Sequence, residues 1–332
     1  NKKMQCEVIM ASYRNPISEK SAPDPFVTYD EKTGYYYSLF TRGKELRLFR
    51  SRHAANVVSD DDSRLIYTPN PERDGIYRDI WAPEMHRGKD GRWYIYTSGS
   101  ITPTGSQKRL FIMQGGSEDP FLDEWVFKGF PMPDVFSIDP TVYTAPDGKQ
   151  YLCCSRLDDV IGQVLDICEL TTPYTCGEKL ETIAIAELDW ELVSPYVKNY
   201  AIVEGAFFVE NKGRLFIIYS ANGCWSKDYC FGIIEHTGGD LCDAANWKKH
   251  PRPIFTHGNG VWGPGHASFF KSPDGSELWC AYHGLKDENE SVSPCPRYFH
   301  IQKVEFDESG FPIESHPVGC EVTLPAPSGE ID

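Results

Sequence analysis

Residues 139–155 read DPTVYTAPDGKQYLCCS. An Asp-Pro opens a short β-rich run, Pro146-Asp147-Gly148 supplies a tight turn, and an aromatic strand follows. β-Branched and aromatic residues on both sides of a Pro-Asp-Gly turn predict a hairpin. The same grammar recurs four more times. It appears as DPFVTYDEKTGYYYSLF from Asp24, WAPEMHRGKDGRWYIYTS from Trp81, EGAFFVENKGRLFIIYS from Glu204 and HASFFKSPDGSELWCAYH from His266. The hairpin glycines Gly34, Gly91, Gly148, Gly213 and Gly275 recur at intervals of roughly 60 residues, a period that in strands signals propeller blades. Five copies predict an all-β, five-bladed propeller with four antiparallel strands per blade. The repeat runs through nearly all of residues 1–332, so one domain is expected.

Radial blades bring equivalent positions to one axis. The residues that open the five innermost strands are Asp24, Trp81, Asp139, Glu204 and His266. Three carboxylates near one axis repel one another, so at least one should hold its proton near neutrality. A protonated acid beside an ionised carboxylate is what glycoside hydrolysis requires. The same acids, taken singly, also suit turn capping or a structural cation. Pro25, Pro140 and Gly205 follow the three acids, and such residues are tolerated where a strand begins.

Composition narrows the function. The formal charge of −15 disfavours nucleic acid and anionic membrane surfaces as partners. A neutral polysaccharide meets no such repulsion. No apolar run approaches the ~20 residues of a membrane-spanning helix. The chain begins at Asn1, as a secreted protein would after removal of its signal, and secretion is the expectation. The 18 Tyr, 18 Phe and 8 Trp fill blades and offer flat faces to sugars. The 11 cysteines, Cys224 and Cys230 among them, suggest some disulfides in an oxidising compartment. The remaining signals are structural. Gly258–Gly263 satisfies GxGxxG but lacks a following helix. Asn289-Glu290-Ser291 is a glycosylation sequon in a polar loop. Ser59–Asp62 reads as a solvated turn.

Five short motifs in this order resemble glycoside hydrolase family 43, five-bladed propellers that act on arabinan and arabinoxylan. They are Pro23-Asp24-Pro25, Trp81-Ala82-Pro83-Glu84, Ser137-Ile138-Asp139-Pro140, Val203-Glu204-Gly205-Ala206 and Gly263-Pro264-Gly265-His266. The resemblance implies Asp24 as general base, Glu204 as general acid, and Asp139 as the residue that orients the acid and raises its pKa. It implies a single inverting displacement, with Asp24 and Glu204 about 6.5–9.5 Å apart to admit water. Trp81 either packs at the blade top or floors the sugar site, and the resemblance favours the floor. It also implies Arg297 as a substrate-binding residue, and His266 as the holder of a hydrated calcium or sodium ion in the channel. Ile-Asp-Pro and Glu-Gly-Ala stand where a levanase or invertase has Arg-Asp-Pro and Glu-Cys-Pro. The motifs look most like an exo-acting α-L-arabinofuranosidase, expected to work as a monomer on plant cell-wall arabinan or arabinoxylan. An endo-arabinanase, a β-xylosidase and a non-catalytic sugar-binding propeller are the alternatives.

Overall fold

The structure, a computed structural model, describes residues 11–193, 200–289 and 296–330. Each aromatic hairpin read from the sequence forms the inner half of a blade. All five hairpin glycines adopt φ between +69° and +82°, the left-handed conformation their turns require. Blade one comprises Phe26–Asp30, Tyr35–Leu39, Leu46–Ser51 and Ser63–Tyr67. Blade two comprises Arg78–Arg87, Trp93–Ser100, Lys108–Gln114 and Val126–Gly129. In blade three, Ser137–Thr144, Gln150–Asp158 and Gly162–Thr172 are followed by two short strands, Thr175–Cys176 and Glu181–Ala184, which both pair with Gly162–Thr172. Blade four runs Val203–Asn211, Arg214–Ala221, Cys230–His236 and Trp247–Lys249. Blade five has Trp262–Lys271, Leu278–Leu285 and Tyr298–Lys303.

The blades join through side chains rather than backbone ladders. Five apolar clusters fill the five seams. Tyr37, Leu48, Ile95 and Phe111 pack between blades one and two, and Tyr96, Ile112, Leu152 and Leu170 between two and three. Leu165, Ile167, Ile217 and Tyr219 lie between three and four, and Phe216, Ile218, Phe231 and Tyr282 between four and five. Val27, Tyr36, Phe49, Phe299 and Ile301 close the seam between five and one. A fully buried side chain of this size contributes roughly 1.5–3 kcal/mol, so ring closure is chiefly hydrophobic.

The closing strand differs from the sequence expectation. Residues 319–326, GCEVTLPA, read as a strand from their sequence but do not form the fourth strand of blade five. Only Leu324–Pro325 is extended there, and it pairs with Ser12–Tyr13. The outer edge of Tyr298–Lys303 is covered instead by the chain between Asn15 and Ala22. The Ile17 N–H donates to the Phe299 carbonyl at 2.8 Å and the Ala22 N–H to the Arg297 carbonyl at 2.8 Å. The Asn15 amide donates to the Ile301 carbonyl at 2.8 Å and accepts from its N–H at 3.0 Å. The N-terminal stretch CEVIMAS, residues 6–12, has a sequence that could add a strand to the last blade, but it lies mostly outside the described residues. In blade four the outer strand is Trp247–Lys249, while Ile254 and Phe255 pair with Phe231 beside it.

The disulfide expectation also needs correction. Cys153, Cys154, Cys168, Cys176, Cys224, Cys230, Cys242, Cys280 and Cys320 are all unbonded; Cys6 and Cys295 lie outside the described residues. Most of these thiols fill apolar interior positions as small hydrophobic side chains. Cys168 and Cys176 touch at 2.7 Å as thiols, and Cys230 receives the Asn222 amide at 4.0 Å instead of pairing with Cys224.

Asn15 tests the closure. It is 3% exposed, and Asn15→Ala removes the acceptor of the buried Ile301 N–H and one of two donors to its carbonyl, the Tyr13 hydroxyl remaining at 3.0 Å. The expected loss is about 1–3 kcal/mol, read as a lower urea midpoint with an unchanged slope.

Candidate active site

The innermost strands do not descend the axis smoothly. Every blade has a left-handed residue near its entry: Asp24 (φ +56°), Ala82 (+42°), Asp139 (+55°), Gly205 (+57°) and His266 (+50°), with Asp79 (+59°) and Gly263 (+49°) as second examples in blades two and five. The ladder register breaks at the same places in blades two to five. Such bulges re-aim side chains, and left-handed non-glycine residues store strain that clusters at functional sites. The sequence register is therefore one residue off in two blades. The structural counterparts of Asp24, Asp139 and His266 are Ala82 and Gly205, so Trp81 and Glu204 stand one position before the bulge. Glycine is needed at 205: a Cβ there would lie 3.0 Å from the His266 ring.

Asp24, Asp139 and Glu204 meet as expected. They are 8%, 7% and 8% exposed, so their charges are largely out of water. Asp24 is richly supported. Its Oδ1 receives Arg297 Nη1 at 2.8 Å, its Oδ2 receives the Thr41 hydroxyl at 2.6 Å, and its N–H donates to His283 Nδ1 at 3.2 Å. His266 Nδ1 lies 3.4 Å from Asp24 Oδ1 and 3.8 Å from Asp139 Oδ2. Glu204 Oε1 accepts the Tyr229 hydroxyl at 2.9 Å.

Protonation follows from these neighbours. Burial pushes the Asp24 pKa up, but Arg297 foremost, with the two imidazoles and the Thr41 hydroxyl, holds it well below the usual carboxylate range. Burial also drives the pKa values of His266 and His283 down. Both rings are then neutral near pH 7, leaving Arg297 and Thr41 as the main support of the Asp24 charge. Glu204 is pushed up to about 7, by burial first and then by Asp24, against the pull of the Tyr229 hydroxyl and Arg297. Burial raises Asp139 well above its ordinary value, with Glu204 and Asp24 adding to the effect. Ionising Glu204 and Asp139 together would place two adjacent charges in a dry site, so the pair retains a proton near neutrality. The Gly205 N–H bonded to Asp139 opposes its protonation.

The remaining expectations map as follows. Arg297 enters the site and pairs with Asp24. Trp81 is half-buried, with the Lys108 ammonium 4.2 Å from the centre of its ring. Lys108 is itself buried and paired with Asp79 at 2.9 Å. Thr41 links this strand to the acids, donating to Asp24 and accepting the Ala82 N–H at 2.7 Å. Glu84 pairs with His86 at 2.7 Å instead of with the acids. Further along the innermost strands, the rings of Phe26, His86, Phe207 and Phe269 touch one another at centroid distances of 5.5–6.4 Å. Beyond them lies a separate cavity of about 690 Å³ whose lining includes Tyr29, Asp30, Arg87 and Trp93.

Sequence reading missed Thr41, Tyr229 and His283. Thr41 and Tyr229 sit outside the repeated hairpins. His283 ends the fifth quoted segment, but its strand reads as ordinary blade packing.

The chain is similar to known proteins over most of its length. The family model for glycosyl hydrolases family 43 matches residues 13–312. A relative from Streptomyces chartreusis, named extracellular exo-alpha-(1->5)-L-arabinofuranosidase, is 30% identical over 283 residues, covering 82% of each chain. A protein of the same name from Streptomyces avermitilis is 29% identical over 324 residues; the alignment spans 94% of this chain and 65% of that protein. Among solved structures, alpha-L-arabinofuranosidase from Lactobacillus brevis superposes with a TM-score of 0.83 at 26% identity, covering 93% of this chain and 98% of the other.

The Asp24–Arg297 pair predicts a pH response. Arg297→Met removes the cation that opposes burial, so the Asp24 pKa should rise by about 1–3 units. The acidic limb of the kcat/KM–pH profile should move up by that amount.

Proposed function

The chain belongs to glycosyl hydrolases family 43, and from that premise we propose that it removes terminal α-L-arabinofuranosyl residues from arabinan or arabinoxylan with inversion. One observation carries the mechanism. Among three buried carboxyls, Asp24 is held ionised while the Glu204–Asp139 pair keeps a proton. In this reading Asp24 takes a proton from water as that water attacks the anomeric carbon. Glu204 delivers its proton to the departing glycosidic oxygen. Asp139, whose own pKa is raised by burial and by Glu204, shares a proton with the acid in this reading and, bonded to the Gly205 N–H, is tied to the strand that carries it. Attack opposite the leaving group converts the α-linked sugar into β-arabinofuranose.

The names of the Streptomyces relatives favour α-1,5-linked arabinan as substrate and an extracellular setting. Trp81 suits the apolar floor of the sugar site, and Arg297 a substrate hydroxyl as well as Asp24. No helix among the described residues is long and apolar enough to cross a membrane. A monomer acting on plant cell-wall polysaccharide completes the reading.

A hydrated calcium or sodium ion beside His266 remains part of the proposal. Among the described residues no three His, Cys, Asp or Glu side chains are grouped to hold a metal. His266 would be the single protein ligand, with water completing the shell, a weak donor set for hard cations. The acids need no help from it.

Product analysis tests the activity. Debranched arabinan should yield arabinose alone, with the β-anomer appearing first by proton NMR. A ladder of oligosaccharides would mean endo action, xylose from xylo-oligosaccharides a β-xylosidase, and binding without product a sugar-binding propeller. Glu204→Gln should lower the rate on arabinan by roughly 10²–10⁴-fold while preserving binding. The ion has its own test. Dialysis against EDTA should lower Tm, and calcium or sodium should restore it; a Tm indifferent to all three removes the ion from the reading.

A further inference from the structure

Two buried rings outside the acid trio connect its two chemical halves. Tyr229 is fully buried, and its hydroxyl donates to Glu204 Oε1 at 2.9 Å. The Tyr229 ring lies on the His283 ring, with centroids 5.5 Å apart and planes 8° from parallel. His283, also fully buried, accepts the Asp24 N–H through Nδ1 at 3.2 Å. A continuous path of contact thus runs from the Asp24 backbone through His283 and Tyr229 to the Glu204 carboxyl.

Two features show that the fold accepts costs to keep this path. Accepting at Nδ1 puts the neutral imidazole's proton on Nε2, and Nε2 is buried with no protein hydrogen-bond partner among the described residues. A buried unpaired donor costs about 1–3 kcal/mol, and such a group in a folded protein calls for a reason. Gly265 supplies the second feature. A Cβ at that position would fall 1.8 Å from Tyr229 Cδ1 and Cε1. The glycine before His266 is therefore the space in which the tyrosine ring lies.

We propose that Tyr229 and His283 are positioning residues that hold the proton donor and the base of this site in fixed relation: Tyr229 orients Glu204, and His283 orients Asp24 and seats Tyr229. This rests on the reading of Glu204 as acid and Asp24 as base. The chemistry assigned to each atom is specific. Tyr229 occupies Glu204 Oε1, so the transferable proton sits on Oε2 and is directed from there to the glycosidic oxygen. Once that proton leaves, the hydroxyl stabilises the new carboxylate. The phenol stays protonated throughout because burial drives its own pKa far up.

Leaving-group dependence separates this role from a merely structural one. A glycoside of 2,4-dinitrophenol departs without a proton, whereas an arabino-oligosaccharide needs one. Tyr229→Phe should lower kcat on the oligosaccharide by roughly 10–100-fold and on the dinitrophenyl glycoside by less than about threefold. Its alkaline limb should also move to higher pH, since a hydrogen bond favouring the carboxylate is lost. Asp24, Asp139, Arg297, Cys224 and Tyr200 also bear electrostatically on Glu204 and are unchanged in that variant. His283→Phe keeps a ring on Tyr229 but removes the acceptor for Asp24, and should slow both substrates alike. Circular dichroism reports whether it folds; if it does not, the Tyr229→Phe comparison decides alone. Wild-type rates in Tyr229→Phe, or equal losses on both substrates, would overturn the proposal. Glu204→Gln distinguishes the levels. Full activity of that variant on the oligosaccharide would overturn the acid assignment itself, whereas an inactive Glu204→Gln beside an unimpaired Tyr229→Phe would overturn only the positioning role.

Discussion

Asp24 and Arg297 are 273 residues apart and meet at 2.8 Å. The site depends on that ion pair, and the ion pair depends on closing the ring. The segment that covers the outer edge of blade five ends with Ser21 and Ala22. The Ala22 N–H donates to the Arg297 carbonyl, and the Ser21 hydroxyl accepts the Arg297 N–H at 3.0 Å. Two residues later the chain reaches Asp24. The contacts that seal the propeller therefore also set the guanidinium against the carboxylate. Without Arg297, burial would act on Asp24 largely unopposed, and a carboxyl so placed would tend to hold its proton.

A second constraint is the left-handed residue repeated in every blade, joined by a break of ladder register in blades two to five. A regular strand would alternate its side chains along the channel wall. The left-handed residues at Asp24, Ala82, Asp139, Gly205 and His266 break that alternation near the axis entry. The four non-glycine examples each store on the order of 1–3 kcal/mol, offset by the packed seams between blades. Further along the innermost strands the rings of Phe26, His86, Phe207 and Phe269 pack against one another.

Symmetry of the scaffold and asymmetry of the chemistry coexist because only the backbone repeats. The same left-handed position presents an aspartate beside a guanidinium in blade one and an aspartate beside a backbone N–H in blade three. In blade four a glutamate under a tyrosine hydroxyl precedes it. Identical carboxyl chemistry thus acquires different proton affinities from different second neighbours. That division of labour is what acid–base hydrolysis needs.

Much of this was legible in the chain itself. Hairpin glycines flanked by aromatic strands reveal five blades because a turn with positive φ and a strand with bulky side chains are local requirements. The three acids were legible because a repeat converts distant positions into neighbours. The rest depended on contacts between segments that share no local pattern. Thr41, Tyr229 and His283 carry no motif; each matters through one hydrogen bond or one stacked ring supplied by a different strand. The one-residue offset at Trp81 and Glu204 is a bulge, and a bulge leaves the hydrophobic alternation on either side intact. Among the described residues the expected disulfides are absent, and most of those cysteines are buried as thiols, because composition counts cysteines without saying where the fold places them. Sequence alone determined the repeat and the identity of the acids, since both follow from local turn chemistry and spacing. Which carboxyl stays ionised and which pair keeps a proton were decided only by tertiary structure, because burial and the reach of Arg297 exist only once the ring is closed.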